Sequence, residues 1–182
     1  LIPIFRNGKL EDVYWTFSYS PVFDESEKIA GVMVICSETT ENIIALKKLE
    51  ESNNRYYNNI MQAPVAMCVF RGRNHIVEIA NEKVLELWGR HAEEVMNKPI
   101  FEAMPEVKNQ GLEDLLDSVY LTGKKVVANE RPVNLLRNGK IETTYVDFVW
   151  EALKEADGTI SGVAAVATEV TTQILSRSKI EE

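Results

Sequence analysis

The strongest constraint on the fold of this chain is an internal repeat. Residues 6–44 align with residues 137–175 at a constant offset of 131 positions and without a gap. Thirteen of the 39 aligned positions are identical, including a run of Arg, Asn, Gly and Lys at the start of each copy. Chance agreement at average composition would give roughly two or three matches. The chain therefore contains two copies of one structural unit, or of part of one.

Each copy has the pattern of antiparallel strands joined by tight turns. In the second copy the apolar and aromatic residues Val146, Phe148 and Trp150 occupy every second position. A period of two is typical of a strand with one buried side. The Asn-Gly pair at 138–139 and the Ala-Asp-Gly sequence at 156–158 have the residues that tight turns require. We therefore expect three antiparallel strands to close each copy.

The composition and charge limit the class of protein. The chain has 182 residues, of which 45% are hydrophobic and 26% charged, and its length allows one full domain of about 100–150 residues plus a fragment. It begins at Leu1 in the middle of the repeat pattern, which indicates a piece of a longer protein. The net charge of −8 disfavours nucleic acid, and no apolar run approaches the ~20 residues of a membrane helix. We expect no contact of this fragment with nucleic acid or membrane.

The cysteines and histidines do not have the spacing of a catalytic or metal site. Cys36 and Cys68 lie in separate apolar strands, and we expect two buried thiols in a reducing cytoplasm. His75 precedes a strand and His91 lies in a loop, and neither has a Ser or Cys partner fixed by spacing. The sequence therefore predicts no catalytic residues and no metal site.

The order of predicted elements divides the chain into four parts. Residues 1–37 form the three-strand end of a preceding unit, 38–63 a linker helix, 64–170 a complete domain and 171–182 the start of an exit helix. Within the complete domain two strands come first, short helices follow, and the strands of the repeat come last. This order predicts an α+β fold with a five-stranded antiparallel sheet and inserted short helices, flanked by helices.

The linker helix carries a seam of side chains in steps of three and four residues. Such a seam is typical of a short coiled coil, in which one polar Asn fixes the register of a parallel dimer. A single amphipathic helix packed on its own domain has the same spacing, so both possibilities remain open. The seam residues are Leu46, Leu49, Asn53, Tyr56 and Ile60.

Several motifs resemble those of the PAS sensory domain family. The sequence NEKVLELWGRHAEEVMNKPIFEAMPE, which begins at Asn81, resembles the helical segment of the family, and DGTISGV at 157–163 resembles its last hairpin. Glu169–Thr171 is similar to the Asp-x-Thr exit motif, with Glu in place of Asp. Glu38–Thr40 is the same motif in the first copy, so the resemblance covers residues 1–175.

The resemblance implies tandem PAS units of a bacterial signalling protein of the sensor histidine kinase kind. The fragment would be a non-catalytic, cytoplasmic module for sensing, relay and dimerisation. Its partners would be a second copy of itself and the downstream kinase or output domain of the same chain. Glu169 and Thr171 would couple the last strand to the exit helix. The alternative is a structural spacer that dimerises and binds no ligand.

The space between the sheet and the inserted helices is the remaining candidate site. The chain lacks the Asn-Cys-Arg-Phe-Leu-Gln run of flavin-binding light sensors of the family, and the helix over 113–121 has no His for haem, so we expect neither cofactor. A small apolar or aromatic ligand would fit beside two small alanines, unless two aromatic rings fill the space. The pocket candidates are Met67, Val69, Ile79, Leu87, Trp88, Phe101, Leu115, Val119, Phe148, Trp150, Ala165 and Ala167.

Overall fold

A computed structural model of the protein describes residues 1–178 and divides the chain into two compact units, a first unit of residues 1–56 and a second unit that begins at Tyr57. The end of the predicted exit helix, 179–182, lies outside the described residues. The elements are β1 (Ile2–Arg6), β2 (Lys9–Val13), β3 (Trp15–Phe23), β4 (Ile29–Glu38), α1 (Thr40–Met61), β5 (Ala66–Arg71), β6 (Ile76–Ala80), α2 (Glu82–Trp88), α3 (Ala92–Val95), α4 (Ile100–Ala103), a 3₁₀ turn (Pro105–Val107), α5 (Leu112–Thr122), β7 (Val126–Arg137), β8 (Lys140–Lys154), β9 (Ile160–Glu169) and α6 (Thr171–Ser178).

The second unit has the predicted α+β architecture. Its five strands form one antiparallel sheet in the order β6-β5-β9-β8-β7, and the helices α2 to α5 with the 3₁₀ turn lie in sequence between β6 and β7. The central strands β5 and β9 come from opposite ends of the unit. One sheet face and the helices enclose a hydrophobic core in which Val77, Val119 and Val163 are fully buried. The predicted fold class is therefore confirmed.

A buried asparagine fixes the entry to the inserted helices. Asn81 is the N-cap of α2, is fully buried, and its side-chain oxygen accepts hydrogen bonds from the N–H groups of Val84 and Met67, both at 3.0 Å. Its amide nitrogen donates to the carbonyl oxygen of Val65 at 2.8 Å and to that of Ile60 at 3.2 Å. Asn81 therefore ties the start of α2 to β5 and to the end of α1.

The first unit contains the first copy of the repeat, and its strands follow the second copy closely. β4 spans the residues that correspond to β9 at the offset of 131, and both copies turn at an Asn-Gly pair with positive φ at both residues. The predicted three strands appear as four because the middle strand is interrupted at Tyr14, which separates β2 from β3. In the second copy the corresponding strand is continuous, since Tyr145 also pairs with Pro132 of β7.

One expectation for the first unit was wrong. Cys68 is buried in β5, but Cys36 in β4 is exposed. Its counterpart in the second copy, Ala167, is half-buried and packs against the core, because the inserted helices cover that face of the sheet. No such layer covers β4 within the described residues, so the apolar pattern of the strand predicted burial that this part of the chain does not provide.

Replacing Asn81 tests its role as the anchor of α2. We expect Asn81→Ala to lower the free energy of unfolding of the second unit by about 2–4 kcal/mol, because it leaves buried N–H and C=O groups without partners. Urea unfolding followed by tryptophan fluorescence measures the effect. Asn74→Ala, at an exposed turn position, is the matched control and should change stability by less than about 0.5 kcal/mol. Equal stabilities of the two variants would contradict the anchoring role.

Candidate functional site

The second unit encloses an apolar cavity of about 90 Å³ between the sheet and the helices. Hydrophobic and aromatic side chains line it, together with the thiol of Cys68. The Phe148 and Trp150 rings stack on one wall with their centroids 4.5 Å apart. Because about 10–15 Å³ is enough to hold one water molecule, these rings do not fill the space. The cavity is large enough for a few non-hydrogen atoms of an apolar molecule.

The structure brings seven of the twelve pocket candidates to the cavity wall. These are Leu87, Trp88, Phe101, Phe148, Trp150, Ala165 and Ala167. The other five lie away from it: Met67, Val69, Ile79, Leu115 and Val119. The wall also contains residues outside the predicted set, among them Ala66, Cys68, Phe70, Val84, Met104 and Leu116. Ligand binding in this cavity stays a prediction.

The displaced candidates on β5 and β6 have two causes. In β5 the cavity is lined by Ala66, Cys68 and Phe70, so Met67 and Val69 point to the other face. A register shift between Val69 and Phe70 in the pairing with β6 alters the alternation there as well. Alternation of apolar residues identifies the strand, but both faces of β5 are largely apolar and the pattern does not say which one is inside.

Among the described residues that line the cavity, Cys68 alone has a titratable side chain. Burial raises its pKa well above the ordinary value of 9.0, because a thiolate would be desolvated there. A neutral buried thiol is a poor nucleophile. The wall can therefore exclude water and bind apolar groups, but it offers no acid, base or reactive nucleophile.

Four residues form a second cluster, which we call the exit clamp: Arg137, Tyr145, Glu169 and Thr171. The Arg137 guanidinium donates to both carboxylate oxygens of Glu169, at 2.9 and 3.4 Å. The hydroxyl oxygen of Thr171 accepts from the N–H of Tyr145 at 2.9 Å, and the carbonyl oxygen of Tyr145 accepts from the N–H of Val170 at 2.8 Å. The end of β9 and the start of α6 are thus held to β8 and to the β7–β8 turn.

Arg137 also connects the exit clamp with the cavity. Its Nε donates to the carbonyl oxygen of Leu87 at 2.8 Å, and its Nη2 donates to the same oxygen. Leu87 lies in the last turn of α2 and lines the cavity. At Gly89 a Cβ atom would lie 2.6 Å from Cγ of Arg137, so glycine allows the arginine to pass this close to the end of α2. One guanidinium therefore touches both the cavity wall and the last strand.

The first unit contains the same clamp. Arg6 donates to both carboxylate oxygens of Glu38, at 2.9 and 3.0 Å, and the Thr40 hydroxyl oxygen accepts from the N–H of Tyr14 at 3.0 Å. The sequence predicted roles for Glu169 and Thr171 but missed the arginine and the tyrosine. The signal was present, since all four positions are identical in both copies at the same offset.

The two histidines lie outside the cavity wall. His75, expected only as a turn residue, is 3% exposed, and its Nε2 lies 2.7 Å from a carboxylate oxygen of Asp117 on α5. Its ring meets the edges of Phe101 and Tyr120. His91 is exposed at the start of α3 and its backbone N–H donates to Glu94 at 2.6 Å. His75 thus links the β5–β6 turn to α5.

The linker seam lies on α1. Leu46, Leu49 and Tyr56 are exposed, as is Asn53, and Ile60 is half-buried.

Across residues 1–178, no group of three or more Asp, Glu, His or Cys side chains is arranged to hold a metal ion. Over the same residues, no helix has the length and hydropathy needed to span a membrane.

The fold of the second unit corresponds to a known family. Residues 61–174 match the family model described as the PAS fold. The chain belongs to the PAS fold family. This places the five-stranded sheet, the inserted helices and the exit clamp of the second unit within one PAS domain, and it supports a role in sensing and signal transduction.

Several solved structures, two of them described as PAS domains, share this fold. A PAS domain from Colwellia psychrerythraea has a TM-score of 0.53 and 10% identity, over 65% of this chain and 97% of that one. The PAS domain of BvgS from Bordetella pertussis has a TM-score of 0.53 and 18% identity, over 71% and 95%. A Vibrio cholerae VqmA dimer in the absence of target DNA has a TM-score of 0.51 and 20% identity, over 65% of this chain and about half (52%) of VqmA. At these identities the likeness shows the fold.

Thiol alkylation tests the nature of the cavity wall. In the chain 1–182 we expect N-ethylmaleimide to modify Cys68 at least about 100-fold more slowly than Cys36, since Cys68 is buried with a raised pKa and Cys36 is exposed. Peptide mass spectrometry measures both rates in one sample. Similar rates at the two cysteines would show that the cavity wall is open to solvent.

Titration tests the clamp of the first unit. The Arg6 guanidinium holds the pKa of the Glu38 carboxyl below its ordinary value of 4.5. The contact therefore stabilises the first unit at neutral pH, and that contribution is lost as the pH falls through the lowered pKa of Glu38. We expect carboxyl NMR to show the pKa of Glu38 below 4.5, and Arg6→Gln to raise it. Arg55→Gln, at an exposed position of α1, is the control and should leave it unchanged.

Proposed function

We propose that the chain is a non-catalytic sensory and relay module of a multidomain cytoplasmic signalling protein of the histidine kinase kind. The second unit would receive the signal in its cavity and pass it to α6 through the exit clamp. One observation carries this proposal: the side chain of Arg137 contacts the carbonyl oxygen of Leu87 in the cavity wall and the carboxylate of Glu169 before the exit helix. The PAS fold supports the same role.

The mechanism rests on differential contacts in two arrangements of α2. A molecule that enters the cavity presses on Leu87 and Trp88, and the end of α2 moves with them. The hydrogen bond from Arg137 to Leu87 then weakens or shifts, which changes how firmly the guanidinium holds Glu169. Because Glu169 is two residues before Thr171, the start of α6 responds. A ligand shifts this equilibrium only as far as its affinities for the two arrangements differ.

The chemistry of the wall indicates the kind of ligand. An apolar wall without charged groups favours a small apolar or aromatic molecule, bound by removal of its surface from water. We propose neither flavin nor haem for this cavity. The thiol of Cys68 is buried and held neutral, which does not suit a covalent adduct.

Xenon is a suitable probe of this coupling, since it binds apolar cavities without forming hydrogen bonds. In wild-type 1–182 under xenon pressure, we expect amide NMR shifts at cavity residues and also at Glu169–Gln173. In Arg137→Gln the shifts at the cavity should remain, and those at the exit should fall at least about threefold, since the neutral amide cannot hold both partners. Lys140→Gln, at an exposed position beside the same turn, is the control. Unchanged exit shifts in Arg137→Gln would contradict the relay.

The output of the full-length protein tests the clamp in its natural setting. We expect Glu169→Ala and Thr171→Ala each to change the signalling output while the fold stays near intact, because both residues lie at the junction of β9 and α6. Thr172→Ala, one position further on an exposed face, should leave the output as in the wild type. Normal output in both clamp variants, with the circular dichroism of a folded domain, would count against the mechanism.

The alternative function is a structural spacer that joins two chains through α1. The exposed apolar side chains of Leu46, Leu49 and Tyr56 favour it, and VqmA, of the same fold, is described as a dimer. A second copy of this chain would supply the matching seam in a parallel pair.

Sedimentation equilibrium distinguishes the seam from an ordinary amphipathic helix. We expect Leu49→Lys to convert a dimer into a monomer, and Asn53→Leu to change the oligomeric state, since an Asn in the seam favours two strands. Glu51→Leu lies on α1 outside the seam and is the control. A wild-type chain that sediments as a monomer at high concentration would rule out the spacer.

A further inference from the structure

The first unit has a long apolar strand with an unpaired edge. β4 pairs with β3 along one side, and no second neighbour lies beside it in the part of the chain that the structure describes. Residues 29–37 contain neither a charged residue nor a proline, the features by which natural edge strands avoid unwanted pairing. This edge therefore has the character of an interior strand.

The second unit shows what covers the corresponding strand. β9 matches β4 residue for residue, and its outer edge pairs antiparallel with β5 from Arg71↔Gly162 to Ala66↔Ala167. The helix α5 packs on the same sheet. As a result Val163 is fully buried, whereas its counterpart in β4, Val32, is 62% exposed.

Gly31 gives an independent indication that another strand pairs with the free edge of β4. At its counterpart Gly162, a Cβ atom would lie 2.3 Å from the carbonyl oxygen of Phe70, so glycine is required by the close approach of β5. At Gly31 a Cβ atom would meet nothing within 4 Å. Gly31 does not need positive φ either, and glycine within a strand weakens it. The glycine at this position is explained if a strand pairs beside it as β5 pairs beside Gly162.

We propose that β4 is the docking edge for a segment of the same kind as Val65–Gly123, supplied by the same polypeptide ahead of Leu1. A strand of that segment pairs antiparallel with β4 and places a carbonyl group over Gly31. Its helices cover the face that carries Val32, Val34 and Phe17. The first unit is then the closing part of another domain of the same fold, completed by this segment. The proposal does not depend on the proposed function.

A second copy of the chain is a poorer occupant. The face of β4 needs a strand together with a layer of helices, and within residues 1–178 only β5 to α5 have that composition. In each copy β5 is already paired on both sides, with β6 and with β9. A second copy therefore has no free segment of this kind unless its own second unit opens.

The reactivity of Cys36 reports the docked segment. Its counterpart Ala167 faces the cavity that the segment closes in the second unit. We expect N-ethylmaleimide to modify Cys36 at least about tenfold more slowly in the natural full-length protein than in the chain 1–182, as measured by peptide mass spectrometry. Equal rates in the two proteins would overturn the proposal. Protection of Cys36 in 1–182 that increases with its concentration would identify a second copy as the occupant, which also overturns it.

Replacement of Gly31 separates docking from other causes of protection. In the full-length protein we expect Gly31→Val to restore the fast modification of Cys36 seen in 1–182, since a side chain there collides with the docked strand. Cys68 should stay slow, which shows that the second unit is intact. Gly162→Val is the matched control, and it should expose Cys68 and leave Cys36 unchanged. A full-length Gly31→Val protein that keeps Cys36 protected would overturn the proposed docking edge.

Discussion

The pairing of β5 with β9 is the contact on which the second unit depends. It joins the first strand of the domain to the last one, so the sheet that forms one wall of the cavity depends on it. The exit helix α6 follows directly after β9, the central strand of this sheet. The approach is so close at Gly162 that a single methyl group would meet the Phe70 carbonyl oxygen. The helices α2 to α5 lie within the chain segment that this pairing closes, so they can form a wall only when β5 and β9 are in register.

Much of this architecture could be predicted from the sequence because the repeat marks the closing strands twice. Their boundaries, the Asn-Gly turns and the exit residues follow from thirteen identities at one offset. The phase of β5 could not be predicted, since Met67 and Val69 are as apolar as the residues that line the cavity. The ion pair of Arg90 with Glu106, each about a tenth exposed, was also beyond prediction, because it depends on how three short helices stack.

The exit clamp shows how a longer side chain can serve at a position where the family uses a shorter one. The carboxylate of Glu169 reaches the guanidinium of Arg137 with both oxygens, and the same contact recurs between Glu38 and Arg6. A bidentate pair of this type fixes orientation as well as distance. Sequence motifs alone identified the carboxylate and the threonine, whereas the arginine became meaningful only when the structure placed it against the Leu87 carbonyl.

The predominantly apolar wall of the cavity has a consequence for molecular selectivity. Because nearly all of its lining is apolar, such a wall distinguishes guests mainly by size and shape, and one methylene group changes binding by about 1–3 kcal/mol. Molecules of similar size would therefore compete for the space with comparable strength, while a guest with a hydroxyl or amide would lose its hydrating water with little compensation. A wall of this kind suits a class of apolar compounds of similar size rather than one particular molecule.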